Sequence, residues 1–486
     1  MERLETERGV LLRDQGGLAL FDPDTMQLFS LDLPSSVPLA EIGRWLERTR
    51  PPSVPAGSAE PPDDPLLLSR RQALLPMLVG EEVLASAVVR PRVNRLTINI
   101  SNACNLWCSY CYADHGLYHE PKSLMPSERA TAVVQKILER YEEVEIVHFF
   151  GGEPLLNLAA IDAVGEAFTA AVQSGRLAKL PQFVATTNGT LSSGPILDTL
   201  VRWDMELTVS WDGPQIVHDA GRPMAGGKGS SFAKLVKSLE RFQQRGIQFG
   251  IECTYNAQHV DKGVSVIELM DFFHRMTGLQ VAHIAPAMLP SSAIESERPQ
   301  KVFRGQSLLV QLRDSAILGR NLIAQYRAAA AYSVENVFAG SGPVLSFVNN
   351  IVEQIATRRR SLIYCPAFFD QLSIAAEGTA YPCFMFIGDP SFRLGNLLTD
   401  EFPTQDGTTV FRRYFQEFGF APTGTRKWYA PLFGGCVAGE YIATNTLGIR
   451  SMAPLYEAMI EECLLGVASY LSQGAPPPVA ERVSHC

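Results

Sequence analysis

Short apolar runs of strand length recur between residues 96 and 285, and longer stretches of helical spacing lie between them. The runs are 96–101, 147–151, 183–187, 207–211, 249–254 and 281–285. Within 126–143, Ala130, Val133, Val134, Ile137, Leu138 and Tyr141 fall on one helical face; within 231–243, Phe232, Leu235, Leu239 and Phe242 do the same. Six strands, each followed by a crossover segment, predict a parallel sheet. Such crossovers are right-handed, so the sheet is expected to curve into an α/β fold, a partial (β/α)6 TIM-like barrel. Chemistry in barrels of this kind gathers at the C-terminal ends of the strands.

Outside this region the pattern changes. Three short strands at 9–13, 18–21 and 26–31, then a helix at 39–48 with Leu39, Ile42, Trp45 and Leu46 on one face, predict a small N-terminal α+β unit over residues 1–50. It is read either as a peptide-recognition module or as an extension packed on the barrel domain. Six prolines within 51–65 mark a linker, with a lead-in helix to residue 90. The barrel is assigned to 91–290, bridging helices to 291–360, and a cysteine-rich C-terminal domain to 361–486. There, 372–383 is a strand, a turn at Glu377-Gly378 and a returning strand that ends on Cys383.

Composition narrows the reading. Apolar residues make up 46% and charged residues 19%, which suits a globular chain of two or three domains. A net charge of −9, with Arg358-Arg-Arg360 as the basic cluster, argues against nucleic acid as a partner. No run approaches the roughly 18 apolar residues of a spanning helix, and the N-terminus lacks the signature of a signal peptide, so a cytoplasmic protein with no membrane partner is expected. Nine cysteines in a reducing compartment point to metal or redox chemistry rather than disulfides.

The candidate chemistry sits at the predicted strand ends. After the first strand comes Cys104-x3-Cys108-x2-Cys111, a spacing expected by chance about 0.003 times in a chain of this composition. Three thiolates can hold three irons of a four-iron cubane and leave the fourth open. Zinc, completed by His115 or His119, is the alternative. The second strand ends in Gly151-Gly152-Glu153-Pro154, whose glycines let a ligand approach the backbone, although such a pair is commonly a simple turn. The third ends in Thr187-Asn188, and the fourth in Ser210-Trp-Asp212, followed by His218-Asp219-x-x-Arg222. Turns and helix caps would account for these polar residues equally well, and a salt bridge for Arg222. Cys253, inside the fifth strand among apolar neighbours, reads as a core cysteine.

The cysteine loop, with Tyr110 as its aromatic, resembles the C-x3-C-x-aromatic-C signature of radical S-adenosylmethionine (SAM) enzymes. Gly151-Gly152-Glu153-Pro154 resembles the family's GGEP motif. The resemblance implies a [4Fe-4S] cluster on Cys104, Cys108 and Cys111 whose open iron binds SAM, and cleavage of SAM to a 5′-deoxyadenosyl radical that takes hydrogen from a substrate. It further implies that the GGEP segment, Glu153 included, meets the SAM amino group, that Thr187, Asn188, Ser210 and Asp212 meet the ribose, and that Arg222 meets the carboxylate. The run from Ser210 to Arg222 resembles the subgroup that modifies peptides and proteins. The C-terminal hairpin, Gly395-Asn396 and Cys436 before Ala438-Gly439 resemble a SPASM/twitch domain. That domain's full pattern has more cysteines than Cys365, Cys383, Cys436, Cys463 and Cys486 supply, so one auxiliary [4Fe-4S] cluster is expected, on the first four. The implied partners are a ribosomal peptide or small protein substrate and an electron donor such as flavodoxin or ferredoxin. Size and layout resemble the branch that forms thioethers from cysteine to acidic residues. A formylglycine-forming maturase and a non-catalytic iron–sulfur or zinc scaffold are the rivals.

Overall fold

The structure is a computed structural model and describes residues 1–6, 9–14, 17–23, 26–31, 37–48, 92–287, 316–359, 367, 371–399, 428–429, 432–433, 436, 438–439, 441 and 453–473. The expected linker and lead-in helix at 51–90, and Cys365 and Cys486, lie outside the described residues.

The N-terminal unit is an antiparallel sheet in the order β1 (Glu2–Thr6), β2 (Gly9–Arg13), β3 (Leu18–Asp22), β4 (Gln27–Ser30). Leu11, Leu18 and Leu20 on one face meet Leu39 and Ile42 of the helix Leu39–Arg48. Val10, Leu12, Ala19, Phe21 and Met26 belong to the main core instead. The C-terminal helix Ala453–Ser472 packs on β2, β3 and β4, and Arg3 reaches Glu457 and Glu461 on it at 3.0 and 2.9 Å. Alternate residues of β2 and β3 thus serve two apolar layers, as the period of a strand requires.

The barrel sheet runs β5 (Arg92–Asn102), β7 (Glu143–Gly151), β8 (Gln182–Thr187), β9 (Glu206–Ser210), β10 (Phe249–Tyr255), β11 (Val281–Pro286), all parallel, as the six apolar runs predicted. Short β6 (Ser123–Leu124) pairs antiparallel with the end of β5. Leu96, Ile98 and Ile100 of β5 are fully buried in the core with Ala130, Val133, Val134 and Ile137 of the helix Ser127–Arg140. Each such leucine, isoleucine or valine side chain removed from water is worth roughly 1.5–3 kcal/mol. The opposite face of the strands is mixed, with Phe150, Val184 and Ala285 among its polar residues. It carries Thr97, His148, Thr186, Thr208, Ser210, Glu252, Thr254 and His283, and from β8 to β11 this face is half-buried while the other is buried.

The sheet continues beyond the barrel on both sides. β12 (Val344–Leu345), between the helices Ala316–Ala339 and Ser346–Thr357, extends it past β11. The C-terminal hairpin β13 (Gln371–Ile374) and β14 (Thr379–Tyr381), with β15 (Gly395–Asn396), extends it past β5 through the parallel β13–β5 pairing. The hairpin turns at Gly378, whose φ of +101° suits glycine. Among the described residues no helix is long and apolar enough to cross a membrane.

Candidate functional site

The cysteine loop leaves the end of β5 at a bulge, where the pairing with β7 shifts between Asn99 and Ser101. A bulge re-aims a strand end. Here it brings Gly151-Gly152 against the loop: Gly152 N–H donates to Ser101 O at 2.7 Å, and Glu153 N–H to Ala103 O at 2.8 Å. A Cβ on Gly152 would stand 2.3 Å from Ala103 O, so the second glycine is required by contact between the two loops.

Cys104, Cys108 and Cys111 are half-buried free thiols on this loop. Their surroundings offer donors to sulfur. Leu106 N–H donates to Cys104 Sγ at 3.4 Å, and Asn188 Nδ2 stands 3.8 Å from the same atom. Burial raises the Cys111 thiol, and backbone groups of Ala113, Gly116 and His115 oppose that rise. Asp114, His115 and Gly116 share positive φ values of 48°, 56° and 84° in a tight turn that Gly116 N–H closes on Ala113 O at 2.9 Å. Even so, burial, together with Glu153, pushes the Cys104 thiol up to about 12, and burial raises Cys108 and Cys111 as well. Bare thiolates are disfavoured here; a bound metal supplies the missing positive charge. No three His, Cys, Asp or Glu side chains among the described residues converge as on a single ion. Three thiols on one loop are a donor set that would fit three irons of a cubane and leave the fourth open. The His115 ring is stacked on Trp107 at 3.9 Å, and His119 lies 3.6 Å from Asp114.

Glu153 is fully buried, and its oxygens are taken up by the chain. Oε1 accepts from Leu155 N–H at 3.0 Å and Thr187 Oγ1 at 2.8 Å, and Oε2 accepts from Asn188 N–H at 2.8 Å. Burial raises its carboxyl to about 7 against those three donors. Glu153 therefore joins the ends of β7 and β8 and caps the short turn Pro154–Leu156. Asn188 links onward, donating to Asn105 Oδ1 at 2.8 Å and accepting from the Thr190 N–H at 2.9 Å. Ser210 is half-buried at the end of β9, in register with Glu252.

Three residues have neighbourhoods that differ from expectation. Asp212, expected at the ribose, is fully buried, 3.0 Å from Arg222 Nε through Oδ1, and accepts from Tyr110 Oη at 2.5 Å through Oδ2. Arg222, expected at the SAM carboxylate, is buried against Asp212 beneath the loop. Cys463 lies mid-way along the helix Ala453–Ser472, with no exposed surface, in the apolar core beside Ile460, Leu464 and Val467. The charged group acting on it is Glu462, and burial raises its thiol. This is the setting of a core cysteine. Cys253 is likewise fully buried.

Cys383 ends the hairpin, and the hairpin meets the barrel mouth. Phe384 packs on Phe150 at 4.4 Å, and Tyr112 and Tyr118 feel the charges of both Cys111 and Cys383. Cys436 accepts from Gly439 N–H at 3.3 Å. Tyr112, Tyr118, Asn105, Asn256 and His259 were not singled out from sequence. Asn256 and His259 carry only a helix-cap signature, and the tyrosines look like ordinary loop aromatics until the hairpin docks against them.

Comparison with known proteins agrees with this geometry. Residues 98–260 match the Radical SAM superfamily. The uncharacterized protein MJ0907 of Methanocaldococcus jannaschii is 29% identical over 159 residues, 33% of this chain and 52% of that protein. The cysteine-type anaerobic sulfatase-maturating enzyme of Clostridium perfringens is 26% identical over 193 residues, 37% of this chain and 50% of the enzyme. The chain thus spans about half the length of these curated relatives. Native anSMEcpe with bound AdoMet and the Cp18Cys peptide superposes with a TM-score of 0.59 at 20% identity, covering 78% of this chain and 99% of that one. That likeness shows the radical SAM fold.

Proposed function

We propose that this protein is a radical SAM enzyme that modifies a ribosomally made peptide or a small protein. The observation that carries the reading is the three-thiol loop pressed against Gly151-Gly152 at the C-terminal mouth of a parallel barrel. Cys104, Cys108 and Cys111 would hold a [4Fe-4S] cluster, which with SAM supplies a 5′-deoxyadenosyl radical. The chain's part is placement. Gly151 and Gly152 offer backbone groups to the SAM amino end. Thr187, Asn188 and Glu153 hold that segment to the loop, and half-buried Ser210 would meet the ribose. The mixed inner face of β8–β11 would receive the peptide.

The product favoured is a thioether between a substrate cysteine and a carbon, of the kind made by the quinohaemoprotein amine dehydrogenase maturation protein. The sulfatase-maturating relative supports formylglycine formation as the second reading. Cys365, Cys383 and Cys436 are proposed to hold one auxiliary cluster, and flavodoxin or ferredoxin to supply electrons. The test is anaerobic incubation of reconstituted protein with reductant, SAM and candidate cysteine peptides. Release of 5′-deoxyadenosine is expected, and its absence with an intact cluster refutes the enzyme. Peptide mass separates the products: a thioether loses a pair of hydrogens and keeps its sulfur, whereas formylglycine made from cysteine loses the sulfur. About eight irons per chain are expected, and about twelve would refute a single auxiliary cluster.

A further inference from the structure

We propose that Asp212 and Arg222 form a positioning pair that clamps the cysteine loop and balances charge at Cys108, without contacting SAM. The inference rests on the reading of the three cysteines as cluster ligands.

The clamp is visible in the backbone. The segment 221–225 runs antiparallel to the loop as a strap, with Leu106 and Met224 bridged. Trp107 N–H donates to Pro223 O at 2.8 Å, Ser109 N–H to Gly221 O at 2.9 Å, and Ala225 N–H to Asn105 O at 3.0 Å. Arg222 stands in the middle of the strap. Its own N–H donates to His218 O at 2.7 Å, and its guanidinium lies 5.2 Å over the Tyr110 ring, between two of the cluster cysteines in sequence.

Asp212 anchors this assembly to the barrel. Besides Arg222 and Tyr110, its carboxylate receives Thr254 N–H at 3.3 Å and Asn256 Nδ2 at 3.4 Å. Its backbone N–H donates to His218 Nδ1 at 3.2 Å, and its carbonyl meets His259 Nε2 at 2.8 Å. Gly221 leaves room for it: a Cβ there would stand 3.2 Å from Asp212 Oδ2 and 3.4 Å from Tyr110 Cε1. The Arg222–Asp212 contact is close but off the hydrogen-bond axis, so it acts as an ion pair. Charge and stacking therefore define the role of Arg222 more than a directed fork does.

A buried cation and anion side by side are neutral from afar but not to a sulfur close by. Arg222 stands opposite Cys108, between the Trp107–Pro223 and Ser109–Gly221 hydrogen bonds, so the guanidinium and the carboxylate it holds would act on that sulfur with opposite signs. In a low-dielectric site such terms are strong, and net charge is among the quantities that set the potential of an iron–sulfur cluster. Loss of the cation should make the cluster harder to reduce. Loss of the anion should make it easier.

The experiment compares reconstituted wild type with R222Q, D212N, the double variant D212N/R222Q, and R222K. Iron and sulfide content, midpoint potential by EPR-monitored titration without SAM, and SAM affinity are read for each. The expected result is a lower potential in R222Q, a higher one in D212N, and near-native values in R222K and the double variant, which also keeps native SAM affinity. Potentials that do not move, or that move with the same sign in the two single variants, overturn the pair, as does loss of SAM binding in the double variant. If R222Q loses its iron, D212N and the double variant carry the test, and D212N without an upward shift overturns it. Wild-type protein that holds no cluster overturns the proposed function itself; a wild-type cluster with unmoved variants overturns only this inference.

Discussion

The cysteine loop and the C-terminal helix both carry buried thiols, in opposite surroundings. Cys104 and Cys111 lie where the backbone has left regular structure, so an N–H group such as that of Leu106 is free to meet sulfur. Cys463 lies inside the helix Ala453–Ser472, where N–H groups are spent on the helix ladder and the neighbours are apolar. The comparison teaches that burial alone does not mark a ligand. What marks it is burial beside unspent donors and fixed charges, such as Asn188 and Arg222 around the loop.

The largest effects should come from breaking the loop. Replacing Cys104, Cys108 or Cys111 with alanine is expected to remove about four irons and abolish 5′-deoxyadenosine, as read by iron assay and chromatography. Gly152→Ala should lose the same product although it deletes no ligand, because its Cβ meets Ala103 O. Native turnover in Gly152→Ala would show that the loops need not touch.

An intermediate effect is expected from acid. His218 is buried beside Asp212, and burial lowers its pKa from 6.5 to about 4. The unfolded chain binds the proton first, so stability falls as the pH drops through that window, by on the order of 3 kcal/mol at its lower end. Asp212 contributes below that window. Burial pushes its carboxyl up, but Arg222, His218, His259 and the Tyr110 hydroxyl pull it below the usual carboxylate range. Its support is lost only as the pH falls through that depressed value. Denaturant melts of wild type and His218→Asn across pH 4–7 should differ in slope, and parallel curves would refute this assignment.

The smaller effects sharpen the contrast. Cys463→Ala is expected to keep all its iron and cost about 1–2 kcal/mol of stability through a small cavity. Loss of about four irons would return Cys463 to the auxiliary site. The outer-face pair Lys136–Glu139, 2.9 Å apart and exposed, should matter least. Lys136→Ala is expected to change stability by less than about 0.5 kcal/mol in the same melts.

Much of the barrel was legible from residues alone. The six parallel strands and the helix faces, such as Ala130, Val133, Val134 and Ile137, follow from local periodicity. β1 was not legible, because Glu2-Arg-Leu-Glu-Thr6 carries charge on an exposed edge strand and lacks an apolar run. Nor was the pairing of β13 with β5, since a strand pairing between segments so distant in sequence leaves no local mark. In the site, the cysteine spacing and the glycine pair announced themselves, while the partners of Asp212 and Arg222 did not.

By itself the sequence determined the strand and helix periods, the three-thiol spacing and the glycines at a strand end, because these depend on neighbours a few residues apart. Only the tertiary structure decided which polar groups spend their charge on one another. It turned Asp212 and Arg222 inward beneath the loop, set Glu153 between two strand ends and sank Cys463 into a core. The physical reason is that a buried charge takes whatever counter-charge and donors the fold brings within reach, and those arrive from segments far apart in the chain.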